Sequence, residues 1–430
     1  MAYGADAIAH TDEGKTVFVS GGVPGDTVTA RMTSDEGTYC KTTVESVLDP
    51  SPKRVTPACP YASVCGGCPW SSLAHEAQLE AKRANVVDAL VRIGHFEAER
   101  AEGIVAPCEA PSDPWGYRNK IELSTARQRG RTVIGLYDRT GSNVIKVDSC
   151  PLLAKRSAKL VKAVSGALGY LSGSHQLGIE RIGLRAARNT KDVEIALWTN
   201  PGPFPRAQVA KVLADATKAS SIVRVLLKGS QKARKVTGVE RLSGKGYWEE
   251  RVGRERMAFS APSFFQVNTA GAERLVELVC SKLQVSEDDE AMDLYCGAGT
   301  FTLPLARRAG FVSAVESYGP AVRDLRRNLD RAQLVNVDAV GGDAGREFPD
   351  TDADVIVVDP PRAGLSQEVI SRLSEQPART IAYVSCDPAT LARDLARFEQ
   401  LGTFAPTSIT PVDLFPQTFH VETVSLLTRS

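Results

Sequence analysis

Short apolar runs broken by glycine and acidic residues open the chain: TVFVS, TVTARM and TTVESVL are separated by GGVPGD and SDEG within residues 1–48. Alternation on this scale predicts half-buried strands, and Pro24-Gly25-Asp26 fits a tight turn between two of them. The segment is expected to form a small β-barrel, followed by a linker, SPKRVTP, at 51–57. From 71 to 98 the period lengthens: apolar Leu79, Val86, Leu90 and Val91 follow Ser72, a candidate N-cap. One long amphipathic helix is expected there.

Between 114 and 250, strand-like runs (KIELSTA, VIGLYD, VEIALW, IVRVLLK) are interleaved with helical stretches near 152–170 and 205–218, which predicts an α+β unit. From about 270 the alternation becomes regular. MDLYC, FVSAVE, VDAV, DVIVVD and TIAYVS are near-continuously apolar, and helical segments such as AVRDLRRNLDRAQL and PATLARDLARFEQL lie between them. That pattern predicts a parallel, doubly wound α/β sheet. Expected domains are therefore 1–48, 49–255 and 256–430.

The 430 residues suit roughly three such units. No stretch approaches the roughly 20 apolar residues of a membrane span, and no basic segment followed by an apolar one opens the chain, so a cytoplasmic protein with no membrane partner is expected. Nine cysteines without such a leader argue against a disulfide framework. The net charge of +1 hides an asymmetry: residues 101–250 carry 25 Lys and Arg against 13 Asp and Glu, whereas 251–430 carry 18 against 25. The basic excess includes Arg118, Lys120, Arg127, Arg129, Arg131, Lys228, Lys232, Arg234 and Lys235. It is either a nucleic-acid footprint or a solvated face.

Asp293-Leu-Tyr-Cys-Gly297-Ala-Gly299-Thr300 joins a predicted strand to a helix, where glycine lets backbone approach a ligand. After the next strand comes Glu316, placed to accept hydrogen bonds from ribose hydroxyls; Asp343 ends the third strand, within reach of an adenine amino group, and Asp359 ends the fourth. A dinucleotide fingerprint requires a third glycine where Thr302 stands, which favours S-adenosylmethionine over NAD.

VVDPPRAGL (357–365), YVSCDPATLARDL (383–395), FFQVN (264–268), DLYCGAGTFTLPLA (293–306) and FPQTFHVETV (415–424) together resemble the motifs of the RNA uridine-5-methyltransferase family. The likeness runs through the whole chain: 1–48 resembles the OB-like TRAM domain, and CPYASVCGGC the family's 4Fe-4S knot. It implies a Rossmann-like class I methyltransferase domain, an RNA substrate (ribosomal ahead of transfer RNA) and a monomer. Cys386 would be the nucleophile and Glu422 the base, while Gln266, Tyr295, Thr300, Glu316, Asp343 and Asp359 would bind or position cofactor and uracil. Thr300 departs from the pattern, since relatives often carry Asn there. Family architecture also implies that the 71–98 helix packs on the catalytic domain.

The chemistry requires these residue types. Carbon 5 of uracil is a weak nucleophile, so a thiolate must first add to carbon 6, and a base must later remove the carbon 5 proton. A helix beginning at Asp387-Pro388 is expected to favour the Cys386 thiolate. The plainer alternatives are a buried apolar Cys386 and a Glu422 facing solvent on an edge strand; Cys280 and Cys296 are read as buried cysteines. Asp359-Pro-Pro-Arg also resembles the D-P-P-Y loop of amino-group methyltransferases, but Arg362 cannot stack a base as tyrosine does. The rivals are an amino-group or small-molecule methyltransferase and a non-enzymatic iron-sulfur RNA-binding protein.

Cys59-x5-Cys65-Gly-Gly-Cys68 crowds three thiols into a loop that glycines allow to turn tightly. Cys150, followed by proline as Cys59 and Cys68 are, is the candidate fourth ligand, and the resemblance places one there. Zinc would accept the same four thiolates; the likeness favours 4Fe-4S.

Overall fold

A computed structural model describes the chain except for residues 129–130, 174 and 231–233. Arg129 and Lys232 of the basic run, and the Arg131 side chain, therefore lie outside the described residues. Among the described residues the strands form four sheets. The first 49 residues come out as a four-stranded sheet ordered Ala7–His10, Thr16–Ser20, Tyr39–Asp49, Thr27–Asp35. It is fastened to the linker by Arg54, whose guanidinium grips the Asp26 carboxylate at 2.5 Å. Val23 joins Trp70, Leu73 and Ala77 in a small apolar cluster.

The expected helix over 71–98 is two helices, His75–Arg92 and Ala98–Ile104. Ser72 does not cap the first, which starts after Ala74 without a side-chain cap. The break falls at Gly94-His95, where His95 takes φ 56 and Phe96 N–H turns back to Leu90 O at 3.1 Å. Val86, Leu90, Phe96 and Ala101 share one core with Leu391, Leu395, Phe398 and Phe404. Both helices thus belong to the C-terminal unit, although another whole unit, with strands from Lys120 to Gly244, intervenes before its sheet.

That intervening unit is a seven-stranded mixed sheet, from Lys235–Gly244 at one edge to Val144–Lys146 at the other. Helices Ala158–Ser172 and Arg206–Thr217 cover one face through Val161, Leu168, Leu171, Val209 and Leu213. The expected boundary at 255/256 falls inside a hairpin, Trp248–Val252 with Glu255–Phe259, whose Trp248 and Phe259 pack against Leu325 and Leu329 of helix Gly319–Ala332. The hairpin belongs to the C-terminal unit.

The C-terminal sheet runs Val337–Gly341, Phe311–Glu316, Glu290–Leu294, Val355–Val358, Thr380–Ser385, Glu422–Arg429, Phe404–Val412. The first five strands are parallel, and Glu422–Arg429 runs antiparallel to both of its neighbours, Thr380–Ser385 and Phe404–Val412. Val355 to Val358 are fully buried, as strands covered on both faces require. No helix among the described residues is long and apolar enough to cross a membrane.

Candidate active site

Chain order reverses between Glu290–Leu294 and Val355–Val358, so their crossovers diverge and leave a crevice at the carboxyl ends of the strands. A cavity of about 570 Å³ fills it, and Gln266, Tyr295, Thr300, Glu316, Asp343, Asp359, Cys386 and Glu422 all line it. Strand termini account for most of this convergence: Glu316 ends one strand, Asp359 and Cys386 directly follow two others, and Glu422 begins an antiparallel one.

The turn after Glu290–Leu294 is built for close approach. Tyr295 and Gly297 take φ 65 and 58, and a Cβ on Gly297 would project into open space. Glu316 reaches back across it, accepting Gly297 N–H at 2.9 Å and Tyr318 N–H at 2.6 Å on its two oxygens. Each oxygen keeps a lone pair for a ligand, and the carboxylate is fixed in direction. Gln266 is 8% exposed and its Oε1 has no partner, so an acceptor waits in the cavity wall.

Acidic groups crowd the floor. Burial, then the neighbouring Glu316 charge, pushes Asp359 up to about 7. Asp293, fully buried beneath the turn with one oxygen held by the Thr302 hydroxyl at 2.6 Å, is likewise raised to about 7, mainly by burial. Glu422 is raised well above its ordinary value by burial, with Asp359 adding and Arg362 opposing. These carboxyls favour a positively charged guest, because a cation offsets the cost of ionising them.

Glu422 is 3% exposed and its strand sits between two others, so it is neither solvent-facing nor on an edge. Cys386 is only half-buried, yet burial pushes its thiol up to about 11. This corrects the expected effect of the following helix: the Asp387 carboxylate accepts Ala389 N–H at 2.9 Å and Thr390 N–H at 3.2 Å, so the helix amides are spent on their own cap. Arg362, which lines the same cavity, instead supplies the opposing influence through its charge. The D-P-P-R run was legible, but its arginine's direction was not. His420, also unforeseen, lines the cavity beside Phe415 and Phe419; burial and the nearby Arg362 charge lower it to about 4, leaving a neutral ring at neutral pH. Phe264 stands 69% exposed at the mouth. Cys296 is buried as expected, whereas Cys280 is only half-buried.

A second cavity, about 710 Å³, gathers Cys59, Cys65, Cys68 and Cys150. Gly66 makes the fold possible there, since a Cβ on it would come within 2.7 Å of the Asp138 carbonyl oxygen. Among the described residues no group of three or more His, Cys, Asp or Glu side chains is gathered as a metal site. Arg118 and Lys120 line this cavity, and the Arg118 Nε has no partner. Arg118 and Lys120 thus face the thiol cavity, and Arg234 pairs with Glu180.

Comparison with known proteins sets this geometry in context. Residues 207–344 and 344–430 match the family model described as tRNA (Uracil-5-)-methyltransferase. The chain is 35% identical to an "Uncharacterized RNA methyltransferase" of Thermosynechococcus vestitus, covering 99% of this chain and 97% of that one. It is 35% identical to another so described from Gloeobacter violaceus, over 100% and 95%. The structure is similar to that of Pyrococcus abyssi tRNA (uracil-54, C5)-methyltransferase in complex with S-adenosyl-L-homocysteine, with 26% identity, TM-score 0.75 and 98% of each chain covered.

Proposed function

Since the chain belongs to the RNA uracil-5-methyltransferase family and is an S-adenosylmethionine-dependent RNA methyltransferase, we propose that it methylates carbon 5 of one uridine through a covalent adduct on Cys386. The observation that carries this reading is the meeting of the Cys386 thiol, the Glu422 carboxyl and Arg362 in one cavity with the acidic floor. S-adenosylmethionine, when bound, supplies a sulfonium methyl group. Gln266, Tyr295, Thr300, Glu316, Asp343 and Asp359 would hold and orient it. The Cys386 thiolate, favoured by Arg362, adds to carbon 6, and the ring electrons become available at carbon 5. After methylation that carbon bears both a methyl group and a proton. Glu422 takes the proton, the carbon 5–carbon 6 double bond reforms, and the thiolate leaves.

Denaturing electrophoresis with radiolabelled S-adenosylmethionine tests the assignment. Glu422→Gln should stall as a methylated protein–RNA adduct at the summed mass, and Cys386→Ala should give neither adduct nor product. Normal turnover by Glu422→Gln would remove it as the base, and methylation by Cys386→Ala would refute covalent catalysis.

The four-thiol cavity is read as a 4Fe-4S site: its all-sulfur donors suit either such a cluster or zinc, and the family resemblance favours the cluster. Cys59, Cys65, Cys68 and Cys150 would hold the cluster, in a structural role. The N-terminal sheet is read as the TRAM-type RNA-binding module of a monomeric enzyme, and nine free cysteines suit the cytoplasm. Large-subunit ribosomal RNA is the proposed substrate. The end-to-end likeness to a tRNA (uracil-54, C5)-methyltransferase favours a second reading, the T-loop of transfer RNA. Mapping 5-methyluridine in both RNAs from cells lacking this protein decides between them.

A further inference from the structure

Residues 413–420 connect strand Phe404–Val412 to Glu422 and carry Phe415 and His420 into the active-site cavity. They are held from the opposite end of the chain. Gln417, in left-handed backbone at φ 73, donates its N–H to Gln78 Oε1 at 2.8 Å, and its carbonyl accepts Trp70 N–H at 3.0 Å. Gln78 Nε2 donates to Gln417 Oε1 at 3.2 Å and to Leu73 O at 2.8 Å. Lys82 pairs with the Asp413 carboxylate and donates to Phe415 O at 3.1 Å. Tyr117 Oη donates to Pro416 O at 3.2 Å. Every backbone bond just named on Phe415, Pro416 and Gln417 thus ends on residues 70–117.

Gln78 and Lys82 are both 0% exposed. Burying an ammonium and an amide is costly, and apolar residues would pack this helix face at less cost. Their polarity has a use in specificity: each side chain is bonded to groups of this loop in this conformation. We propose that Gln78 and Lys82 are positioning residues that fix the 413–420 loop and thereby set the approach of Glu422 to the carbon 5 proton. The proposal rests on the reading of Glu422 as the base. Trp70 lies two residues beyond Cys68, so the same clamp ties the cysteine knot to the proton-removal step.

The full-length protein is given RNA tritiated at uridine carbon 5 together with methyl-labelled S-adenosylmethionine. Gln78→Leu should carry methyl groups into the protein–RNA adduct at close to the wild-type rate, release tritium at least about tenfold more slowly, and so accumulate the adduct. Its S-adenosylmethionine affinity should stay within about twofold. Tritium release and methyl transfer falling together, or neither changing, would overturn the proposal. If Gln78→Leu does not fold, Gln417→Asn takes its place: it tolerates left-handed backbone but is too short for the Gln78 amide. Glu422→Gln run in parallel separates the two readings. Its normal turnover overturns the base assignment and the clamp with it; an adduct with Glu422→Gln but none with the clamp variant overturns the clamp alone.

Discussion

Removing the Arg362 charge isolates the one influence that lowers the nucleophile's pKa. The Cys386 thiol sits at about 11 with Arg362 in place, because burial outweighs the guanidinium. A nearby opposite charge shifts a pKa by about 1–3 units. The thiol is half-buried, so screening by water puts Arg362 at the low end, about 1.4 kcal/mol or one pKa unit. Arg362→Met should raise the thiol by about that unit and cut the thiolate fraction near pH 8 about tenfold. Arg362→Lys keeps the charge but not the planar fork and should fall between. The assay is the pH dependence of iodoacetamide alkylation, read on the Cys386 peptide by mass spectrometry because eight other cysteines compete. An unchanged profile in Arg362→Met would refute the argument, and a faster one would reverse its sign.

Two other expectations follow from the cavities. Asp293 and Asp359 stand near 7 in the free protein, and a bound sulfonium favours their charged forms, so binding should expel protons. Affinity for S-adenosylmethionine should therefore climb as pH rises from 6 towards 8, by up to about tenfold per unit for each proton released. Calorimetry in buffers of different ionisation heat measures that release; S-adenosylhomocysteine, which lacks the sulfonium charge, should show less, and equal release would sink the account. Cys65→Ser should lose iron and solubility together, since the knot's loop has little apolar surface of its own; a soluble, fully active variant without iron would contradict a structural cluster.

Much of the catalytic unit was determined by local sequence. Strands Phe311–Glu316 and Thr380–Ser385 and helix Pro388–Leu401 span the expected segments, because fully apolar strands and amphipathic helices advertise themselves over a few residues. Carboxylates at consecutive strand ends must then converge, whatever the loops do. Decisions made between distant segments were not legible. Periodicity near Val86 and Leu90 does not say that they pack beside Phe398, which only the family likeness implied, and the Gln78–Gln417 pair spans 339 positions. The helix after Cys386 was expected to favour its thiolate, but which partner satisfies those amides is a three-dimensional matter, and Asp387 takes them. Arg118 counted as a surface charge until the fold turned it into the cysteine cavity. Periodicity records how one segment meets solvent or core, whereas burial, charge neighbours and ligand geometry depend on which segments meet, and only the tertiary structure decides that.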